Sequence, residues 1–354
     1  MTQAGVFIFL DLPIGYLLSK LGDYKSLFLS FIFGTTGVLI YLFYKTLSAF
    51  IIAEIFFALS LSIWPAAFSS YSMQVLAKYE IEGLTEKFFH LGDSISNLFV
   101  LICGFVGGAM FSYWNQAPYL CFLAAYLLGI GTLLFHTESL NISCPKKNPI
   151  WKNFLDFHHL KSLLPLLTVL FLTQFLLQPL IHYWQPHFSE KFTLKPHDPS
   201  LIFICYSLGM SRASWCFSKI MNRPLFRSKI LVGLLGLVSG FFYFFLSQTE
   251  GFVSSIILFS TSMAIFNTTQ LSTGILINKA LSSANRMMFL KISSLIARLG
   301  MIASLWLIKF LMKSNWPIND VYEMYGLLSL TVFFFYFVFL KLLKRNVENY
   351  VFDR

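Results

Sequence analysis

The feature that most constrains this chain is a series of apolar segments, each long enough to cross a bilayer. A helix needs about 20 predominantly apolar residues to span the hydrocarbon core. Eleven segments meet this requirement: 2–20, 26–44, 48–71, 87–112, 117–135, 161–184, 199–219, 228–247, 252–276, 287–311 and 322–341. The sequence therefore predicts an all-α, polytopic membrane protein with 11 transmembrane helices.

The overall composition supports a bilayer as the solvent of this protein. Of the 354 residues, 56% are hydrophobic and 12% are charged, whereas soluble domains carry about 25% charged residues. A soluble protein this apolar could not cover its surface with polar groups, but lipid accepts apolar side chains at no cost. The net charge of +10 comes from basic residues that are spread over the loops, so we expect no nucleic-acid partner.

The chemistry-bearing residues do not form the patterns of an enzyme or a metalloprotein. The five cysteines show no CxxC spacing, and four of them lie within apolar segments, which disfavours a disulfide framework or a zinc site. The sequence contains no HExxH pattern, no nucleophile elbow and no Walker motif. We expect no catalytic residues, no metal and no cofactor.

One long polar break divides the apolar series. Residues 136–160 contain two prolines and show no apolar periodicity. We interpret this stretch as a cytoplasmic linker between an N-terminal bundle, 1–135, and a C-terminal bundle, 161–354. If the loop at 20–25 lies inside, alternating crossings place most of the 26 Lys and Arg residues on the same side. The C-terminus is then cytoplasmic.

A weak internal repeat suggests that the two bundles are related. Ser19-Lys20-Leu21 resembles Ser218-Lys219-Ile220, and KFFHL from Lys87 resembles RMMFL from Arg286 at the same offset. Both matches lie at predicted inner ends of helices. They predict two parallel, pseudo-symmetric halves of six helices, of which the first half shows five.

Residues 11–25 carry a family resemblance. The stretch DLPIGYLLSKLGDYK resembles the loop between helices 2 and 3 of major facilitator superfamily transporters, with Asp11, Pro13, Gly15, Lys20 and Gly22 at matching positions. Lys25 also matches. Ser19 replaces the usual Asp, and Asp23 replaces a usual basic residue. The segments AEIFFALSLSIWPAA and HYWQPHF resemble helices 4 and 7 of one subgroup.

The resemblance implies a secondary transporter that moves a small organic solute by alternating access, as a proton-coupled symporter or antiporter. It also implies that the first segment is the family's helix 2, so that helix 1 is missing from the given chain. A truncated or non-transporting membrane protein on the same fold, such as a sensor or scaffold, stays open as an alternative. We expect a monomer in the plasma membrane, with lipid and small molecules as partners.

Charged residues within the segments are the candidates for coupling and gating, because each charge costs about 2.5–3.5 kcal/mol at mid-membrane. Asp11 and Arg298 lie at similar depth, as do Asp93 and Arg212. The resemblance makes each pair neighbours, so we predict two ion pairs that act as gates or as static ties. Glu54 is a lone acid that either carries a proton or faces an outer vestibule.

Two helical faces are the candidates for substrate contact. Gln174, Gln178 and His182 lie at i, i+4 and i+8 of one segment, and Asn267 and Gln270 lie at i and i+3 of another. Such residues share a helix face, and the resemblance places both helices beside a central cavity. The alternative is hydrogen bonding between helices.

The loop with Gly15, Lys20, Gly22 and Lys25 is the candidate inner gate. Gly22 would allow a tight turn, while plain positive-inside topology also explains both lysines.

Overall fold

The protein is helical throughout the part that the computed structural model describes, residues 13–18, 20–114, 116–135, 157–194, 198–220, 229–281 and 286–351. No strand occurs among these residues, which confirms the predicted all-α class. In chain order the helices are α1 (Asp23–Phe43), α2 (Leu47–Lys78), α3 (Thr85–Tyr113), α4 (Ala117–Phe135), α5 (Phe157–His182), α6 (Trp184–Lys191), α7 (Asp198–Ile220), α8 (Lys229–Gln248), α9 (Phe252–Ala280), α10 (Arg286–Lys313) and α11 (Ile318–Val351).

Eight of the described helices are long and apolar enough to cross a membrane, and each coincides with a predicted segment. Helices α7 and α11 coincide with two further predicted segments, 199–219 and 322–341. The segment predicted at 2–20 lies mostly outside the described residues. Eleven crossings therefore stays a prediction.

The outward-facing sides of these helices are apolar. Phe245, Trp306, Phe310 and Phe335 are large exposed side chains on α8, α10 and α11. In water, extended exposed apolar patches promote association, whereas a bilayer accommodates them. The surface is that of an integral membrane protein.

The chain forms two compact units, and neither is a single stretch of sequence. Unit 1 consists of residues 1–82, 103–163 and 281–298, and unit 2 consists of residues 83–102, 164–280 and 299–354. Helices α3 and α10 each contribute one part to each unit. The bundles expected at 1–135 and 161–354 stay a prediction, and the expected linker lies outside the described residues up to residue 156.

Unit 1 contains closely packed helices with small side chains at their contacts. Helix α1 packs along α2 and also contacts α4. Ala53 and Ala58 of α2 are fully buried, as is Val38 of α1. A Cβ atom on Gly34 would lie 2.3 Å from a ring carbon of Tyr126, so the absence of a side chain at this glycine lets α1 approach α4.

Unit 2 has an aromatic core. The side chains of Phe188, Tyr243, Phe259 and Tyr322 are all fully buried. The rings of Phe188 and Phe259 meet edge to face with centroids 5.7 Å apart, and those of Tyr243 and Tyr322 do so at 5.3 Å. Such pairs stabilise a core beyond the area that they bury, so this cluster contributes to the stability of unit 2.

Glycines set the distance between α8 and α11. A Cβ atom on Gly326 would lie 2.6 Å from the Cα atom of Phe244, and one on Gly240 would lie 2.9 Å from the backbone nitrogen of Leu330. Backbone atoms cannot turn aside as a flexible side chain does. The two helices therefore keep this spacing only while both positions lack a side chain.

We expect Gly326→Ala to destabilise the protein by about 1–3 kcal/mol, because the added methyl group forces the two backbones apart. Thermal unfolding of the purified protein in detergent measures the effect. Gly131→Ala on α4 is the matched control, since a Cβ atom there meets nothing within 4 Å. Equal melting temperatures for the two variants would contradict this account of the contact.

The short helix α6 lies outside the candidate membrane spans and carries a fully buried histidine. The His187 ring stacks on the Tyr322 ring with centroids 4.0 Å apart and planes 5° apart. Burial, together with the nearby charge of Lys191, lowers the pKa of His187 to about 3, although Asn319 favours the protonated form. The imidazole is therefore neutral at physiological pH.

The buried His187 makes stability depend on pH. The pKa of a histidine in an unfolded chain is about 6.5. Below that pH the unfolded state therefore binds a proton at His187, whereas the folded state does not. The contribution of the neutral His187 to the free energy of unfolding is fully present above about pH 6.5 and decreases as the pH falls. At about pH 5.5 the loss is about 1.4 kcal/mol. We expect His187→Phe, which keeps the stacking on Tyr322, to reduce the drop in melting temperature between about pH 7.5 and about pH 5.5. An unchanged drop would contradict the assignment.

Candidate functional site

Helix α3 presents one polar face within an apolar bundle. Glu86, His90, Asp93, Ser94 and Asn97 lie at i, i+4, i+7, i+8 and i+11, which is a single stripe along a helix. Glu86, His90 and Ser94 are buried, and Asp93 and Asn97 are half-buried. These residues belong to unit 2, where they contact α7 and α9. We call these five residues the α3 polar face.

Asp93 is the centre of this face. Its Oδ2 atom accepts hydrogen bonds from Ser214 Oγ of α7, from Asn267 Nδ2 of α9 at 2.8 Å and from Asn97 Nδ2 of its own helix at 3.0 Å. The other oxygen, Oδ1, has no hydrogen-bond partner among the described residues. Hydrogen bonds to a charged acceptor are about twice as strong as neutral ones. The three hydrogen bonds to Oδ2 hold the carboxylate in place, and Oδ1 stays available for a further hydrogen bond or a proton.

A second contact continues the polar face toward α7. The hydroxyl of Ser211 donates a hydrogen bond of 2.9 Å to the backbone carbonyl of Ser94, and the two hydroxyl oxygens lie 3.2 Å apart. Both serines are buried. Serine at such a contact permits close approach and gives the helices a shared hydrogen bond.

An ion pair ends the polar face near the start of α3. Lys279 Nζ of α9 pairs with Glu86 Oε1. The Glu86 side chain is 5% exposed and the Lys279 side chain 32% exposed, so the pair reaches solvent only through the lysine. The second carboxylate oxygen, Oε2, is buried and has no hydrogen-bond partner among the described residues.

His90 lies between the ion pair and Asp93. Its side chain is fully buried, and neither ring nitrogen has a hydrogen-bond partner in the described part of the chain. The ring of Phe217 on α7 lies against it, with centroids 5.9 Å apart. A buried donor or acceptor left unmatched costs about 1–3 kcal/mol, so this histidine is an unusual feature in an apolar bundle.

Solved structures with the same arrangement of helices decide the fold. A crystal structure of a single-residue variant of the E. coli fucose:proton symporter FucP has a TM-score of 0.73 and 12% identity, over 96% of this chain and 90% of that chain. The human organic anion transporter MFSD10 has a TM-score of 0.70 and 14% identity, over 94% and 82%. No protein-family model and no curated protein matches the sequence. The chain has the major facilitator fold.

The major facilitator fold agrees with the resemblance seen in residues 11–25. A crystal structure of the major facilitator superfamily transporter FucP in the outward conformation has a TM-score of 0.67 and 13% identity, over 96% of this chain and 89% of that chain. Since all of these identities are low, the likeness concerns the fold. The residues of this chain have to be judged on their own contacts.

The structure does not bring Asp93 and Arg212 together. Asp93 bonds to neutral side chains, and Arg212 is exposed on another side of α7. Asp11, the expected partner of Arg298, lies outside the described residues. Arg298 Nε donates a hydrogen bond of 3.2 Å to Ser294 Oγ on its own helix. The roles of all four residues in gating therefore stay predictions.

The expected substrate-contact residues occupy two helices of unit 2. Gln178 is buried, and its Nε2 donates to Gln174 Oε1 at 3.3 Å and to the Gln174 carbonyl at 3.1 Å. His182 is exposed, and Gln270 is partly exposed one turn from Asn267. Of these residues, Asn267 is the one that the structure joins to Asp93.

The remaining candidates lie in unit 1. The side chain of Glu54 accepts a hydrogen bond from the Tyr41 hydroxyl. Gly22 has a φ of 83° where α1 begins, which confirms that this glycine makes a turn that other residues rarely adopt. Lys20 and Lys25 are exposed and Gly15 is buried, with the Lys20 ammonium 4.2 Å from the centre of the Tyr16 ring.

Two buried charged residues of unit 1 were not among the candidate site residues of the sequence analysis, although Asp23 was noted there as a departure from the motif. Asp23 Oδ2 accepts hydrogen bonds from Ser70 Oγ at 2.6 Å and from Gln74 Nε2 at 2.5 Å, and Arg286 acts on it electrostatically. Lys291 is fully buried and donates to Ser62 Oγ at 2.6 Å. The sequence did contain a sign of both residues: Asp23 is a charge next to a turn, and Lys291 is a charge inside an apolar helix.

Glu86, His90 and Lys279 were not among the candidate site residues either, although the helical spacing of Glu86, His90 and Asp93 was visible in the sequence. Loss of the Glu86–Lys279 pair should be costly, because the buried carboxylate would then have no counter-charge. We expect Lys279→Met to destabilise the protein by about 1–3 kcal/mol, less than for a fully buried pair because the lysine is partly exposed. Thermal unfolding in detergent measures this effect.

The double variant Glu86→Gln/Lys279→Met separates the ion pair from its packing. Removing both charges leaves no uncompensated charge, so we expect it to recover most of the stability that Lys279→Met loses. If the double variant is as unstable as the sum of the two single variants, the pair contributes no coupling energy. Lys313→Met, at the exposed end of α10, is the control.

Proposed function

We propose that this protein is a secondary active transporter that moves a small organic solute by alternating access, coupled to protons through Asp93. The observation that carries the proposal is the carboxylate of Asp93, hydrogen-bonded to α7 and α9 from a helix of the other sequence half. The major facilitator fold supports it, since FucP is a fucose:proton symporter and MFSD10 an organic anion transporter.

The first argument is energetic. A charge within the bilayer costs about 2.5–3.5 kcal/mol on insertion scales and usually has a function. A packing role would be served better by an apolar residue at the position of Asp93. Three neutral donors stabilise its charged form without neutralising it, so protonation removes a charge and weakens all three hydrogen bonds.

The second argument concerns movement. Alternating access requires two arrangements of similar energy, and a ligand shifts their balance only by binding one of them better. The Ser214 and Asn267 contacts tie α3 to α7 and α9, and each such charge-assisted hydrogen bond is worth about 1.5–3 kcal/mol. Protonation of Asp93 would loosen these ties and so favour the arrangement in which the helices separate.

The third argument concerns the substrate surface. Gln174, Gln178, Asn267 and Gln270 offer amide donors and acceptors on two helices of unit 2, and a Cβ atom added at Gly274 would meet nothing within 4 Å. Amide groups and an open glycine suit a small polar solute. His182 lies nearer the predicted outer end of its helix and is proposed as an outer contact.

The distribution of basic residues supports a proposal for the membrane and for the orientation of the chain in it. We propose the cytoplasmic membrane, with the C-terminus in the cytoplasm, because this orientation places most Lys and Arg residues inside. Asp11, Arg298 and Glu54 are further proposed coupling residues. The loop with Lys20, Gly22 and Lys25 is proposed as the inner gate, and the protein is proposed to act as a monomer.

Reconstitution into proteoliposomes with an imposed pH gradient tests this function. We expect accumulation of at least one radiolabelled compound from a panel of sugars, organic anions and amines. Asp93→Asn should lower the proton-driven accumulation by about 10- to 100-fold, which corresponds to the loss of about 1.5–3 kcal/mol of charge-dependent interaction.

Counterflow without a pH gradient should survive in Asp93→Asn, since exchange of solute needs no net proton movement. Asp320→Asn, an exposed acid in the first turn of α11, is the matched control and should behave as the wild type. A wild-type protein that is folded but moves no compound of the panel would favour the non-transporting alternative.

A further inference from the structure

We infer that Glu86, His90 and Asp93 form a proton path along α3, in which His90 passes protons between the ion pair at the start of the helix and the Asp93 carboxylate. The inference rests on the proposed role of Asp93 in coupling. It adds the route by which a proton reaches that residue, through two side chains that packing alone does not explain.

The spacing of the three residues suits a path. They lie at i, i+4 and i+7, on one stripe of α3, and neighbours at such spacings have Cβ atoms about 5–6 Å apart. Seven residues of helix rise about 10 Å. A single imidazole in the middle of this distance divides it into two short steps, whereas an apolar residue there would interrupt it.

Each of these three residues has a side-chain atom that no described residue pairs with and that a proton could therefore use. Both nitrogens of His90 and Oε2 of Glu86 are buried without a hydrogen-bond partner among the described residues. Oδ1 of Asp93 also has none there, while Oδ2 holds three donors. A neutral imidazole has one donor and one acceptor nitrogen, so it can receive a proton on one side and release another on the other side.

The surrounding charges favour movement of a cation along this line. On α3 itself, His90 has Glu86 on one side and Asp93 on the other. From α9, Lys279 is the charged residue next to the path, and its charge is already matched by Glu86. Phe217 of α7 is the ring that contacts His90, and the charged residues of α7 that belong to neighbouring turns are Arg212 and Lys219, both exposed.

Each step conserves protons and charge. A proton from the solvent enters at the partly exposed Lys279 end of the ion pair and binds the Glu86 carboxylate, which makes this carboxyl group neutral. It passes to the acceptor nitrogen of His90 and forms an imidazolium, and Glu86 becomes a carboxylate again. The opposite N–H then gives its proton to Oδ1 of Asp93. The imidazole is neutral once more, and Asp93 has gained the proton that the water lost.

Infrared spectroscopy can follow the last step without any knowledge of the substrate. The protein is reconstituted in vesicles, and the pH is lowered rapidly on the side where α3 begins. The carboxyl band of protonated Asp93 is identified by its absence in Asp93→Asn. We expect His90→Phe to slow the appearance of this band at least about tenfold, because a positioned proton-transfer group contributes about 10²–10⁴-fold to a rate.

His187→Phe is the matched control, because His187 is likewise fully buried in unit 2 and stacked on an aromatic ring but lies on α6, away from the path. It should leave the rate unchanged. Glu86→Gln should slow the reaction as His90→Phe does. His90→Gln keeps a polar side chain that cannot carry a proton, and it serves as the test if His90→Phe does not fold.

Equal rates of Asp93 protonation in the wild type, His90→Gln and His90→Phe would overturn the path. Flux measurements on the same vesicles separate this failure from that of the proposed function. Proton-driven flux together with unchanged rates in the His90 variants would refute the path alone. Slowed protonation in a protein that moves no solute would support the path and refute the transporter.

Discussion

The interaction on which the described structure most depends is the set of hydrogen bonds to Asp93. A carboxylate within an apolar bundle needs either a counter-charge or several donors, since each charge at that depth costs about 2.5–3.5 kcal/mol. This protein supplies Asn97, Ser214 and Asn267, which belong to three different helices. Satisfying one charged side chain therefore fixes α3 against α7 and α9. An interaction that depends on the charge of one atom can also be released by a single proton.

The same requirement explains the contacts of two other buried charged residues. Asp23 has Ser70 and Gln74 as donors, and Lys291 has Ser62 as an acceptor. Apolar and small residues act differently, because they set the distances between helices and need no hydrogen-bond partners. Gly326 allows α11 to approach the backbone of α8, and aromatic rings form the buried core of unit 2. Rigid apolar packing thus surrounds a small number of polar contacts that are able to change.

Sequence reasoning predicted most of the described helices, and it predicted Arg212 as the partner of Asp93, whereas the structure gives this carboxylate neutral donors. It compared distances along the helix, which are reliable because each residue rises about 1.5 Å. The sequence contains no direct information on how each helix is rotated about its axis relative to its neighbours. Arg212 and Ser214 are two residues apart and so point about 200° apart, since 3.6 residues make one turn. Only one of them can face α3, and it is the serine. Glu86 and His90 were missed because a charge near a helix end and a lone histidine both have ordinary explanations.

The length of the apolar segments determined the class of this protein and the extent of most described helices, and the motif at residues 11–25 carried the resemblance to the major facilitator superfamily. The class and the extent of the helices depend on transfer of side chains from water to lipid, which is additive along the chain. Tertiary structure alone decided which polar side chains meet, and in particular that Asp93 bonds to neutral donors and that Glu86 pairs with Lys279. Such contacts depend on the rotation and spacing of helices that are far apart in sequence, and the packing of the whole bundle sets both.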